Sequence, residues 1–357
     1  MSNLYLMLPI KNIFKYLMKT IRWGILKQDD YIKFFDNNLK KIRNHLIPGN
    51  DSINQIYLYG LKTGIEYVFN NFKNKYNFVY IDDVFLQNCD ICFYNAFIVN
   101  YWEIDELLNR VKGNPIFVVE FLDHPCYPLE SNDKTNITFK KWTNNYKNYS
   151  ISQFADTDKN LYMPGVNFDR IKYHIESRQK FDLSIKTKFA NWVCSNPCLP
   201  RKKIIDYINK YYKHIDYYGN IWYGDDQNNK GLPLNSKFWE DSDIHHQYKF
   251  NFAFENTPTK NKIRYITEKI EHGYCNNSIP IYWGCSDIIK LFNEESFINV
   301  CELNIKQMIH KISIVDNNDE LYRHMFYAYP FKDRNFDYAG YFYERKVKFF
   351  KNILEQI

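Results

Sequence analysis

Tyr248-Lys-Phe-Asn-Phe-Ala-Phe-Glu-Asn256, a basic loop, Tyr265-Ile-Thr-Glu-Lys-Ile270 and then Ile279-Pro-Ile-Tyr-Trp-Gly284 decide the fold. Phe250, Phe252 and Phe254 alternate with Asn251 and Ala253, the two-residue period of a strand with one apolar face. Thr267 suits a helix N-cap, and Ile266, Ile270 and Tyr274 follow at helical spacing. Asn276-Asn277 supplies a left-handed stop, and Ile279 to Trp283 is a short apolar run closing at Gly284. Strand, polar loop, helix and strand in this order make a βαβ crossover. Its loop and helix N-terminus lie at the carboxyl end of a parallel sheet.

Anionic ligands sit at such an end, because first-turn N–H groups are free and the helix dipole favours negative charge. Lys260, Lys262, Arg264 and Lys269 gather there. Glu268 beside them is wrong for a phosphate but right for ribose hydroxyls, which donate to a carboxylate. The pattern suggests a sugar nucleotide or nucleoside diphosphate. A solvated charged loop capping an ordinary helix is the plainer alternative.

Outward from this unit the same alternation continues. Strands are predicted at 53–59, 78–81, 90–96, 116–121 and 149–154, with helices at 63–72 and 103–111 between them. A charged stretch, Arg170 to Lys188, is read as the inter-domain linker. Strands at 189–194 and 215–218 and helices at 202–212, 238–246, 305–314, 320–328 and 341–357 complete a second set. The expected domains are a basic amphipathic segment (1–29), an α/β domain (30–183) and a second α/β domain with C-terminal helices (184–357), which on the resemblance given below are the acceptor side and the donor-binding side.

At 357 residues the chain has room for two cores, and 45% hydrophobic against 25% charged residues argues for a globular protein. The net charge of +6 is spread along the chain, so nucleic-acid binding is not indicated. Eight cysteines are too sparse for a disulfide scaffold, and Cys89 and Cys92 form a CxxC with no second pair or His cluster to complete a zinc site. Between Leu4 and Leu26, Lys11, Lys15, Lys19 and Arg22 break any spanning run, while Ile10, Phe14, Leu17, Ile21 and Ile25 recur at helical spacing. Residues 4–26 are therefore read either as a basic amphipathic helix in peripheral contact with a membrane or as a helix packed on its own domain. The same lysines favour a cytoplasmic or membrane-surface location over secretion.

Phe254-Glu-Asn-Thr257, Tyr265 to Ile270, Ile279 to Gly284 and Ser296-Phe-Ile-Asn-Val300, in this order, resemble the donor-binding region of the α1,3-fucosyltransferases, the family-10 glycosyltransferases. Ser195-Asn-Pro197 with Arg201 is similar to that family's upstream element. The resemblance covers residues 186–301 well and the earlier chain weakly. It implies a GT-B-like α/β architecture, two Rossmann-like domains facing a central cleft, and inverting transfer of fucose from GDP-fucose to a glycan hydroxyl without a required metal, Mn²⁺ serving at most as a stimulant. It also implies donor contacts at Arg201, Asn256, Tyr265, Glu268 and Lys269. Lys202, one step along, competes for the role of Arg201. The loop after Asn256 is longer and more basic than the family's usual Gly-containing turn, and Arg264 stands where the family has a small residue. These extra cations either tighten diphosphate binding or crowd out the sugar.

The acceptor hydroxyl needs a base. Glu120, at the end of the apolar strand Ile116 to Phe121, is a carboxylate placed for partial desolvation, and the family's proposed base is a glutamate at a comparable strand end. Asp123 and His124 are the runners-up. Asp156-Thr-Asp158 and Asp241-Ser-Asp243 offer a metal-dependent DxD alternative. A catalytically inactive glycan- or nucleotide-binding protein is the alternative from another class.

Overall fold

The alternation of Phe250, Phe252 and Phe254 builds the central strand of the second of two compact units. The computed structural model describes residues 3–6, 54–59, 76–79, 91–96, 116–121, 148–194, 199–219, 243–259 and 263–355. The units are residues 1–163 with 342–357, and residues 164–341.

Unit 1 holds seven strands: β1 (Asn3–Leu6), β2 (Asn54–Tyr59), β3 (Tyr76–Val79), β4 (Ile91–Ala96), β5 (Ile116–Phe121), β6 (Asn148–Ser152) and β7 (Asn160–Tyr162). Every pairing is parallel, in the order β3-β2-β1-β4-β5-β6-β7. The first six strands of this order run as in a dinucleotide-binding fold. The expected helix over residues 4–26 is corrected at its start. Leu4, Tyr5 and Leu6 lie in β1, between β2 and β4, so this part of the 1–29 segment is sheet and not a surface helix. A short apolar triplet carries too few residues to separate a strand from a helical turn. Residues 7–53 lie outside the described residues, as do the expected helices at 63–72 and 103–111.

Unit 2 opens with α1 (Phe168–Arg178), followed by β8 (Lys188–Cys194), α2 (Leu199–Tyr211), β9 (Ile215–Gly219), β10 (Tyr248–Thr259), α3 (Glu268–Cys275), β11 (Ile279–Cys285), β12 (Ile298–Asn299), α4 (Ile305–Asp316) and α5 (Asp319–Tyr327). Its sheet is wholly parallel in the order β12-β11-β10-β8-β9. One face is apolar. Trp192, Phe250, Phe252, Phe254, Ile281 and Trp283 pack under Ile205 and Ile208 of α2, Met308 and Ile312 of α4 and Phe326 of α5. Each large side chain so buried contributes about 1.5–3 kcal/mol, which is why this face sets the register.

The other face is polar and internally bonded. Asn191, in register with Asn251 and Asp216, accepts from Asn251 Nδ2 (2.8 Å) and bonds His245 Nδ1 (2.8 Å). The Tyr248 hydroxyl donates to Asp216 Oδ2 (2.5 Å) and bonds the Tyr218 hydroxyl (2.7 Å). His245 belongs to a 3-10 turn, Asp243–Gln247, where a helix over 238–246 was expected; residues 238–242 are outside the described set.

The division between the units falls at Met163/Pro164, ahead of the charged stretch expected to link them. That stretch begins as α1, which is fixed inside unit 2. Phe168 stacks on Tyr338 (5.5 Å), and Arg178, 2% exposed, donates through Nε to Phe326 O (2.6 Å) and through Nη1 to Ser278 O (3.0 Å). Burial pulls the Arg178 guanidinium down to about 10, and Phe326 lies 4.1 Å beneath it. The last helix, α6 (Tyr338–Leu354), returns the chain to unit 1 from Phe342 onward, where Phe349 meets Tyr149 (5.9 Å) and Arg345 pairs with Asp156. No helix among the described residues is long and apolar enough to cross a membrane.

The C-terminal end of α4 is tied to β10 by Asp316. Its carboxylate takes Lys249 (2.8 Å), Lys213 (2.5 Å) and the Tyr212 hydroxyl (2.8 Å). Burial would raise the Asp316 pKa, but the two lysines hold it below the ordinary range. Its stabilising effect is therefore complete above the unfolded-state value and fades as pH falls through the lower folded value. Asp316→Asn is expected to cost about 3 kcal/mol at pH 7. In urea melts the gap from wild type should narrow as the medium is taken below pH 4; a gap independent of pH would refute the ion-pair account.

Candidate functional site

In unit 2 the strand order reverses between β8 and β10, and their carboxyl ends form the crevice where open α/β sheets take ligands. The chain leaves β8 for α2 and leaves β10 for α3, so the first turns of both helices converge on that point. The Ser195-Asn-Pro197 turn lies outside the described residues, but Arg201 is described. It is 2% exposed, its Nη1 donates to Phe254 O at the end of β10 (3.1 Å), and its guanidinium lies 5.9 Å from the Trp192 ring. Lys202 faces outward and pairs with Asp206 one turn on (2.7 Å). Of the two candidate cations on α2, the backbone register brings Arg201 to the crevice.

Glu255 organises the other side. Beyond the Phe254–Trp283 pair, β10 next meets β11 at Thr259–Cys285, so residues 255–258 bulge out of the ladder. The Glu255 side chain stays fully buried and turns back into the sheet. Its Oε1 accepts from the Thr267 N–H (2.7 Å), its Oε2 from the Thr267 hydroxyl (2.7 Å), and Lys269 Nζ stands 3.6 Å from Oε2. Thr267 is the N-cap residue of α3 as expected, yet it makes no side-chain cap bond, because its hydroxyl serves Glu255. Asn277, at φ 51°, supplies the expected left-handed stop at the other end. Gly284 makes the room: a Cβ there would stand 2.4 Å from Glu255 Cγ.

Lys269 Nζ also donates to the Thr267 hydroxyl (3.0 Å) and to Glu268 Oε1 (3.0 Å), with its side chain 20% exposed. Burial would neutralise the lysine, but Glu268 and Glu255 hold it charged against the nearby repulsion of Arg201. Burial pushes the Glu255 carboxyl up, and Lys269 opposes that push. Two fixed cations, Arg201 and Lys269, thus lie close enough to feel each other at the sheet's switch point.

Asn256 sits in the bulge, half-buried, with Nδ2 3.4 Å from the Tyr265 hydroxyl. Tyr265 is buried, and its N–H donates to Thr259 Oγ1 (3.2 Å). Glu268, on the exposed side of α3, completes the five positions taken from the resemblance, and the fold gathers them at one end of one sheet. Arg264 is paired with Asp287 (3.0 Å), which also holds Lys290 (2.9 Å), so this cation braces the loop against the turn after β11. Lys260 and Lys262 are outside the described residues.

Glu120 is in β5, one residue from its end, in register with Asn95 of β4 and Ile151 of β6. Asp123, His124, Cys89 and Asp241 lie outside the described residues. In the first DxD pattern, Asp156 Oδ1 accepts the Tyr162 N–H (2.8 Å) and pairs with Arg345, which makes this aspartate a corner brace. Among the described residues no group of three or more His, Cys, Asp or Glu is placed to hold a metal ion. Sequence reasoning quoted Glu255 within the motif but gave it no role. The available signal was a glutamate on the non-aromatic parity of β10, opposite a glycine.

Two parallel-sheet units, one with its cations at the switch point, have the make-up of the GT-B fold. The solved α1,3-fucosyltransferase structures have this fold. The one containing GDP-fucose aligns with TM-score 0.57 at 22% identity over 88% of this chain and 95% of that one. Another, without a named ligand, gives TM-score 0.59 at 22% identity, over 88% of this chain and 94% of that one. Residues 183–332 match the family described as glycosyltransferase family 10 (fucosyltransferase), C-terminal part, as the resemblance indicated. The α-(1,3)-fucosyltransferase FucT of Helicobacter pylori is 34% identical over 178 residues, 48% of this chain and 34% of that protein. A putative fucosyltransferase, R654, of Acanthamoeba polyphaga mimivirus is 30% identical over 173 residues, 46% of this chain and 27% of that protein. The chain thus spans about a third of the length of these curated relatives.

Glu255→Ala would leave the Thr267 N–H, the Thr267 hydroxyl and the Lys269 ammonium without their shared acceptor. A loss of about 3 kcal/mol is expected from stranding buried partners of a charge. Thermal unfolding should show it, and Gly284→Ala should lower the melting temperature through the same contact. Wild-type stability in both variants would show that Glu255 is not the anchor.

Proposed function

We propose that the chain is an inverting fucosyltransferase that moves fucose from GDP-fucose to a hydroxyl of a glycan acceptor. The observation that carries this reading is the convergence of Arg201 and Lys269 on the switch point within the family-10 region. Transfer must stabilise a diphosphate leaving group, and fixed cations with helix-terminal amides do this without a metal. The Arg201 fork and the Lys269 point charge would hold the departing GDP at the N-terminal end of α3. Glu268 and Asn256 would meet the nucleoside or sugar hydroxyls, and Tyr265 would wall the pocket and fix Asn256.

In the reaction the acceptor oxygen attacks the anomeric carbon of fucose from the face opposite the phosphate. The bond from that carbon to the phosphate oxygen breaks and its electron pair leaves with GDP. The acceptor proton passes to Glu120, whose place near the carboxyl end of β5, beside β4, supports this role. Peripheral attachment to a membrane through the basic stretch 10–25, and glycoproteins among the acceptors, extend the proposal. Flotation with anionic vesicles tests the first, and a glycoprotein panel the second.

Lys269→Ala and Arg201→Ala each remove a charge-assisted contact of about 1.5–3 kcal/mol, so GDP should bind roughly tenfold or more weakly. Calorimetry with unchanged affinity in both would move the phosphate site elsewhere. For Glu120→Gln the expectation is normal folding, unchanged GDP affinity and transfer slowed by about 10²- to 10⁴-fold. A stable variant with near-normal turnover would pass the base role to Asp123 or His124. A panel of nucleotide sugars assayed for diphosphate release, with and without EDTA, tests donor and metal together. Release only from GDP-fucose and unaffected by chelation is expected. Complete loss restored by Mn²⁺ would favour the DxD reading, and binding without release an inactive protein.

A further inference from the structure

A second hollow opens in unit 2, away from the residues assigned to the donor. It is a shallow, half-open hollow of about 80 Å³ between the start of α1 and the segment from Tyr329 to Ala339. Its floor is aromatic: Phe168 stacks on Tyr338 (5.5 Å, 19°), and Phe331 packs against both (5.7 and 5.3 Å). Phe336, 41% exposed, stands at the rim against Tyr338 (4.7 Å).

Around this floor the polar groups are not spent on one another. Asp169, Lys172 and Arg334 line the hollow, and among the described residues none of them makes an ion pair; Arg334 lies over the Tyr329 ring (4.9 Å). Asp337 brings the lining to two carboxylates and two cations, so its formal charge is zero. A phosphate or carboxylate ligand would call for a cationic excess, and a purely apolar ligand would leave four charged groups without use. A sugar ring suits both features. Its C–H face lies on an aromatic surface, and its hydroxyls both donate to carboxylates and accept from guanidinium and ammonium groups. Apolar wall with few convergent polar groups is also the usual make-up of a small-molecule site.

We infer that this hollow is a second saccharide-binding site, which holds a neutral sugar residue of a glycan apart from the donor cluster. Its use as an accessory hold on the acceptor rests on the transferase reading, whereas binding itself does not.

Titration of the full chain with lactose, chitotriose and maltotriose, in the presence of saturating GDP and without donor sugar, measures binding without turnover. Ligand-observed NMR gives the affinity. At least one of these should bind, and Phe336→Ala and Arg334→Ala should each weaken it by about five- to tenfold, as for loss of one aromatic or charged contact. Both side chains reach the surface, so the fold should survive, and an unchanged melting temperature checks that it does. Asp169→Asn is a third, more conservative variant with the same expected direction. The proposal is overturned if no saccharide binds, if binding is indifferent to all three substitutions, or if only acidic sugars or inorganic phosphate occupy the hollow. Failure of GDP to bind the same preparation would count against the donor reading alone.

Discussion

A carboxylate with no exposure to solvent holds the site of this protein together. Removing Glu255 from water costs several kcal/mol before any partner is counted, so its retention depends on what it binds. The Thr267 N–H and hydroxyl fill two of its acceptor positions at 2.7 Å, and the Lys269 ammonium supplies the opposing charge at 3.6 Å. These contacts fix the direction in which α3 leaves the sheet. They also leave that helix without a side-chain cap from Thr267.

The same constraint explains the asymmetry of the unit 2 sheet. Phe250, Phe252 and Phe254 fill the apolar face, and alternation then places Asn251, Ala253 and Glu255 on the other. That second face must satisfy its polar groups internally, and Asn191, His245, Asp216 and Tyr248 do so at hydrogen-bond distances. Arg201 crosses from the helix on the apolar face to the Phe254 carbonyl, and Lys269 reaches in from the helix on the polar face. The two cations are delivered from opposite layers to one strand end. Such positioning is rigid, as transition-state charge stabilisation requires.

Much of this was legible in the sequence wherever a two-residue or helical period ran long enough. The strand at Ile116 to Phe121 was read to the residue, and β8, β9, β11 and the helix of the donor motif within a few. Other elements were hidden for physical reasons. Helix α1 buries only Phe168, Ile171 and Arg178, so its stripe is too thin to stand out among charges, and one of its buried residues is an arginine that reads as surface. Strand β1 is four residues long and merges with the apolar pattern after it. The roles of Glu255 and Gly284 depend on a bulge that brings two segments to within one methyl group of each other, and linear spacing does not encode that.

The central claim is that the switch point of unit 2 grips a diphosphate through Arg201 and Lys269. Comparative calorimetry of GDP and GMP on the wild-type chain tests it most directly, since the two ligands differ only by the terminal phosphate. If both cations act on the diphosphate, GDP should bind more tightly by about tenfold or more, and the difference should shrink as salt is raised. Equal affinities for GDP and GMP, at low and at high salt, would contradict the account.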